Sequence, residues 1–287
     1  MGARGRGQSC PLIPFPKYPR VIPLETFFLG THHPSWLRKT DVPLFLSRQR
    51  LAGRKTLPCA RGPWALDSGG FQELNLHGAW TVTPRQYVAE VRRYAGEIGN
   101  LRWTACMDWM CEPFVLEKTA LTVAEHQRRT IDNVKALLDA APELPWAPVI
   151  QGWTWGDYMR HADAYQKAGI DLSAFPAVGV GSVCRRQSTT RAGTILACLQ
   201  DTRARLHGFG FKIRGLPLSE GALTSADSLA WGFAARRRPP LPECVGDHKS
   251  CQNCIRYALR WWHRVMSEVL ERDVPKPKEP QVQPRLF

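Results

Sequence analysis

Short apolar runs alternate with longer stretches whose apolar residues recur at helical spacing. Eight runs read as strands: Thr26–Gly30, Pro43–Ser47, Trp64–Asp67, Leu101–Asp108, Ala147–Gly152, Phe175–Ser182, Leu206–Lys212 and Leu223–Ser228. Between them, helical patterns cover Thr83–Ile98, Lys118–Leu138, Tyr158–Ala168 and Thr189–Leu206. Thr83 followed by Pro84 is a helix start: a hydroxyl cap, then a residue whose missing N–H costs nothing there. Strands alternating with helices, eight in number, predict an α/β fold of the (β/α)8 TIM-barrel type. A doubly wound open sheet would give a similar alternation.

Several of these strands end in groups that carry chemistry. Trp64-Ala65-Leu66 runs into Asp67, Ser68, Gly69, Gly70, Phe71 and Gln72. A buried strand that delivers a carboxylate at its carboxyl end is how barrels place catalytic groups, and the glycines allow a sharp turn and close approach of a flat ligand. Asp108, Gln151, the glycines Gly179 and Gly181, and Asp227 close other runs in the same way. Each also has a plainer reading. Asp67 and Asp108 suit ordinary turns, Gln151 suits a satisfied buried amide, and Asp227 suits a helix N-cap. Phe71 and Trp109 suit core packing as well as stacking on a ring, and His32 and His33 suit a solvated loop.

Charge narrows the partner. Lys and Arg exceed Asp and Glu by 14 among 287 residues, which points to a polyanion, most simply nucleic acid. The excess is clustered at Arg4 and Arg6, at Arg185 and Arg186, and at Arg236, Arg237 and Arg238, as phosphate contacts require. No apolar run is long enough for a bilayer, and the N-terminus lacks the apolar core of a secretory signal, so the expected location is the cytoplasm, a host's if the source is viral. Residues 1–20 read as a flexible basic arm, 21–272 as the barrel and 273–287 as a disordered Pro-rich tail.

Nine cysteines in such a chain do not imply disulfides. Three of them, Cys244, Cys251 and Cys254, stand with His248 in one short segment. Three thiolates and an imidazole complete a closed tetrahedral site, so a structural Zn2+ is expected.

Taken together, LDSGGFQ (66–72), CMDWMCEP (106–113), VIQG (149–152), VGVGS (178–182), LHGFG (206–210) and TSADSLAW (224–231) resemble the tRNA-guanine transglycosylase superfamily, in order and in rough spacing. The Cys-x3-His-x2-Cys-x2-Cys arrangement and the Arg triplet after TSADSLAW are most similar to its deazapurine DNA modification (DpdA) branch. The resemblance implies a pentosyltransferase that swaps guanine in DNA for a 7-deazaguanine base such as preQ0. It implies Asp227 as nucleophile, Asp67 as general acid/base, and Ser68, Gly69, Gly70, Phe71, Asp108, Gln151, Gly179 and Gly181 around the base. Partners would be DNA, the free base and other proteins of a modification pathway, with no membrane. Two alternatives stay open: base exchange on tRNA, and a catalytically silent zinc barrel that binds nucleic acid. Related chains with a Cys-x-Cys-x2-Cys pattern take a histidine further downstream, which makes His263 the alternative metal ligand.

Overall fold

A computed structural model describes residues 24–182, 190–211 and 221–273. The basic arm, Arg185, Arg186 and the tail from 274 lie outside the described residues.

The strands are β1 (Thr26–Thr31), β2 (Leu44–Ser47), β3 (Trp64–Asp67), β4 (Leu101–Ala105), β5 (Trp146–Ala147), β6 (Val149–Ile150), β7 (Val178–Val180), β8 (Leu206–Gly208) and β9 (Ser225–Ser228). All pairings are parallel, in the order β5-β4-β3-β2-β1-β9-β8-β7-β6. The end strands β5 and β6 are halves of one stave, parted at Pro148, which has no N–H to give the ladder. Its carbonyl still accepts the Gly179 N–H at 2.8 Å. The chain itself therefore joins the two ends of the sheet, and eight staves form the expected barrel.

Period-two alternation sorts the side chains. On β1, Phe27 and Leu29 join the large core between sheet and helices, while Phe28 joins a second core inside the barrel. On β3, Trp64 and Leu66 pack outward and Ala65 inward. Asp67, two residues after Ala65, therefore shares the inward face at the carboxyl end. The inner core consists chiefly of Phe28, Phe45, Trp103 and small residues, with Phe209 against it.

The helices are α1 (Gly70–His77), α2 (Pro84–Ile98), α3 (Pro113–Thr119), α4 (Val123–Ala140), α5 (Trp155–Lys167), α6 (Thr190–Leu199), α7 (Ala230–Arg236) and α8 (Ile255–Asp273). Helix α2 starts as its sequence predicts, with a reciprocal Thr83–Gln86 capping box. The stretch expected as one helix over Lys118–Leu138 is two. Ala120 adopts φ 53°, and Thr122 caps α4 by accepting the Glu125 N–H.

The run expected as a strand through Asp108 stops at Ala105. The Cys106 N–H still meets the Ala147 carbonyl of β5 at 2.9 Å, and from Met107 to Met110 the backbone is held by side chains of α4. Asn133 Nδ2 donates to the Met107 carbonyl at 2.7 Å, Thr130 Oγ1 accepts the Trp109 N–H at 2.9 Å, and His126 Nδ1 lies 2.6 Å from the Met110 carbonyl. Buried peptide groups need partners, and here α4 supplies them in place of a neighbouring strand.

Candidate active site at the barrel mouth

Gly69, at φ 80°, turns the chain from β3 into α1, a conformation glycine reaches without strain. That turn leaves Asp67 half-buried at the mouth, with its Oδ2 accepting the Gly69 N–H at 3.2 Å. Ser68 points the other way along the mouth and donates to Asp108 Oδ1 at 3.1 Å. Gln151, which directly follows β6, donates from Nε2 to Asp108 Oδ2 at 2.5 Å. Gly181 packs over that amide, where a Cβ would come within 2.1 Å of Gln151 Nε2. Asp67, Ser68, Asp108, Gln151 and Gly181 thus form one connected cluster.

Asp227 reaches the mouth from β9 in register with Phe28 of β1. It is a strand residue and not a helix cap: α7 begins at Ala230 after Leu229. Its Oδ1 accepts the Gly210 N–H at 2.7 Å. His207 of β8 is fully buried below, with Nε2 3.4 Å from the same oxygen. Its Nδ1 lies 2.9 Å from Ser225 Oγ, and Trp103 and Phe209 pack edge-on against the ring at 4.6 and 5.0 Å.

Electrostatics separates the carboxylates. Burial, then the neighbouring charges of Asp108 and Asp227, pushes Asp67 up to about 7, against the hydrogen bonds from Ser47 and Gly69. Burial pushes Asp108 up to about 6, opposed by the hydrogen bonds from Gln151 and Ser68. A carboxyl that changes charge near neutrality can both give and take a proton there.

The metal cluster lies beside this wall of the barrel. The ligand atoms of Cys244, His248, Cys251 and Cys254 lie within 4.8 Å of one another. Cys244 Sγ and Cys254 Sγ are 3.8 Å apart, which is about the S···S edge of a zinc tetrahedron with 2.3 Å bonds. Arg256 Nη1 donates toward Cys244 Sγ, and the Leu241 N–H donates to Cys251 Sγ at 3.3 Å, so the sulfurs are also held from outside. His263 is an exposed residue of α8 beside Trp262 and is not one of the four. The donor set fits a tetrahedral metal ion. The Trp231 and Trp262 indoles donate to the carbonyls of Gly30 and Phe27, tying the helices on either side of the cluster to β1.

Residues 24–278 match the model of the DpdA family, described as DeoxyPurine in DNA protein A. The chain belongs to that family. Comparison with curated proteins gave no match. In this DpdA-family chain, no helix among the described residues is long and apolar enough to cross a membrane.

Other expected residues lie apart from the cluster. Phe71 is 45% exposed on α1, with its ring 6.1 Å from Phe114. Trp109 packs in the core against His126, with the Arg129 guanidinium over its ring, so core packing is its observed role. Gly179 faces the inner core, where a Cβ would meet the Phe209 ring at 2.3 Å. Arg236, Arg237 and Arg238 are exposed at the end of α7, with Arg236 donating to Gln252 and Arg237 over the Phe233 ring.

Four further residues belong to the site by contact: Glu112, Ser182, His161 and His207. Ser182 Oγ lies 2.8 Å from both Gln151 Oε1 and Glu112 Oε2. His161 Nδ1 accepts the Gln151 N–H at 2.8 Å. Three of them lie in segments singled out from the sequence, Glu112 in CMDWMCEP, Ser182 in VGVGS and His207 in LHGFG, while His161 had no such signal.

Proposed function

We propose that this protein exchanges guanine in DNA for a 7-deazaguanine base of the preQ0 type, through a covalent glycosyl-aspartate. The observation that carries the reading is the convergence of three carboxylates, from β3, β9 and the segment after β4, on one barrel mouth in a chain of the DpdA family.

Each carboxylate has a distinct task. Asp227, oriented by the Gly210 N–H, attacks C1′ of the target nucleoside as the N-glycosidic bond breaks. Its negative charge also stabilises the oxocarbenium character of the transition state. Asp67 gives the departing base a proton and later takes one from the incoming base, a task suited to a carboxyl that titrates near 7. Asp108, held by Ser68 and Gln151, keeps lone pairs for the N1–H and amino group of a guanine-type edge. The target base must leave the duplex stack, or be single-stranded, to reach this depth. Arg236, Arg237 and Arg238, with Arg185 and Arg186, would hold flanking phosphates. The Cys3His cluster would hold a structural Zn2+.

Denaturing electrophoresis of the protein incubated with DNA tests the reading. The wild type forms a protein–DNA adduct, and Asp227→Ala binds DNA without forming one. Undiminished adduct in Asp227→Ala removes Asp227 as nucleophile.

A further inference from the structure

Ser182 follows β7 and its hydroxyl stands between two acceptors, Gln151 Oε1 and Glu112 Oε2, each at 2.8 Å. It also accepts the Cys111 N–H at 3.1 Å. A hydroxyl has one proton and can donate to only one of the two. On the far side of the amide, Gln151 Nε2 meets Asp108 Oδ2. Asp108, Glu112, Gln151 and Ser182 are 8, 3, 0 and 5% exposed, so a mismatch is not repaired by bulk water.

Two proton arrangements satisfy every contact in this chain. In the first, Glu112 is the neutral acid and donates to Ser182, Ser182 donates to the Gln151 carbonyl, and the Gln151 amide donates to an Asp108 carboxylate. In the second, Asp108 is the neutral acid and the amide is turned over, a choice that heavy-atom positions leave open. Asp108 then donates to the Gln151 carbonyl, the amide to Ser182, and Ser182 to a Glu112 carboxylate. With both carboxyls ionised, two acceptors face each other somewhere along the chain. With both protonated, two donors do.

We infer that Asp108 and Glu112 share a single proton through Gln151 and Ser182, and that Glu112 holds it while Asp108 binds a base. The second clause rests on the base-binding role proposed for Asp108; the first does not. A guanine-type edge presents two N–H donors and needs the carboxylate form of Asp108. Arrival of such a base shifts the pair to the form with Glu112 neutral. The O–H bond of Asp108 breaks with its proton passing to water, and one forms at Glu112 with a proton taken from water. Rotation of one hydroxyl and turnover of one amide restore the hydrogen bonds, so the protein's net proton count is unchanged.

The surroundings favour keeping one proton in the chain. Asp67 on β3 faces Asp108, Cys106 and Cys111 flank it, and His161, Tyr165 and Asp157, the last neutralised by its ion pair with Arg160, stand on α5. Apart from Arg160, which is exposed and engaged by Asp157, none of these described neighbours is cationic at neutral pH, since burial pushes His161 down to about 4. A second negative charge in the chain would meet the first at short range in a buried setting.

Infrared spectroscopy of the free protein at pH 7 counts neutral carboxyls by their C=O stretch. Glu112→Gln supplies a permanent donor to Ser182, and Asp108→Asn supplies one to Gln151. Sharing predicts that each variant alone has one neutral carboxyl fewer than the wild type. Loss in only one variant, or in neither, overturns it. Ser182→Ala decides the question should either variant fail to fold. It removes the hydroxyl whose single proton forces the mismatch, so its count of neutral carboxyls should differ from that of the wild type, and an unchanged count contradicts the inference. Guanine added to the wild type should move the band without net proton uptake from or release to the buffer. Absence of guanine binding would count against the base site, while the carboxyl count still decides the sharing.

Discussion

His207 Nε2 lies 3.4 Å from Asp227 Oδ1 at the floor of the mouth, and among the described residues it has no closer polar partner. The imidazole is enclosed by the rings of Phe28, Phe45, Trp103 and Phe209, and Ser225 Oγ meets its other nitrogen. A hydroxyl that donates to Nδ1 leaves the N–H on Nε2, facing the carboxylate, which is the favourable tautomer beside a negative charge. His207 therefore positions Asp227 from below while Gly210 holds it from the side. Replacing His207 by Phe keeps the aromatic packing and removes that support. Adduct formation should slow about 10- to 100-fold with DNA affinity unchanged, and His207→Gln should restore part of it. An equal fall in affinity and rate would mean that the residue only holds the fold.

Asp67 gives two pH signatures. In the role proposed for it, donor to the leaving base, it must carry its proton, so the rate of base departure should fall as pH rises through about 7. Single-turnover adduct formation between pH 5.5 and 9 measures this, and Asp67→Asn should be slow throughout with that limb absent.

Stability follows from the same shift, with the sign of a raised carboxyl. Below the ordinary value of 3.8 Asp67 is neutral in folded and unfolded chains, and its burial costs no charge. Between there and about 7 the unfolded chain releases the proton while the folded chain keeps it, so stability falls as pH rises. Above about 7 the deficit is constant. Because water reaches the half-buried side chain, the cost is on the order of 1–2 kcal/mol. Asp67→Asn should melt higher than the wild type at pH 8 and equally at pH 3.5.

Gly181→Ala should disable the base site without disrupting the metal cluster. The new methyl would press on Gln151 Nε2, the atom that meets Asp108, with a strain of roughly 1–3 kcal/mol. Calorimetry with free guanine should show lost affinity, while bound metal measured by atomic emission stays equal to the wild type.

Cys251→Ser should lower bound metal and the melting temperature together, by on the order of 10 °C, since the energy of a structural site is folding energy. Trp231, one turn before the Arg triplet, is anchored to Gly30 beside the Asp227 strand, so adduct formation should fall as well. A full metal content in the variant would show that Cys251 is not a ligand.

The barrel was legible because its signals are local. Trp64–Asp67 is a strand as read, Thr83-Pro84 starts its helix, and the cysteine cluster lies within one short segment. Contacts between distant segments were not legible. Ser182 meets Glu112 across 70 positions, and nothing in either segment announces the other. Asp108 was read as a strand tip because the apolar run continues to it; in the fold the ladder ends with the Cys106 N–H on Ala147, and α4 side chains replace it from Met107 on. The break between α3 and α4 had a signal, Thr122 three residues before Glu125, but the apolar periodicity running across it masked the cap. Trp109 shows the limit of composition: an aromatic beside a carboxylate serves stacking or packing equally well until its neighbours are known.

The central claim is base exchange on DNA at the three-carboxylate mouth. Its most direct test is incorporation of radiolabelled guanine or preQ0 into duplex DNA and bulk tRNA in parallel, with Asp227→Ala as control. The account predicts label in DNA alone, lost in Asp227→Ala. Label in tRNA alone, or in neither nucleic acid, would contradict it.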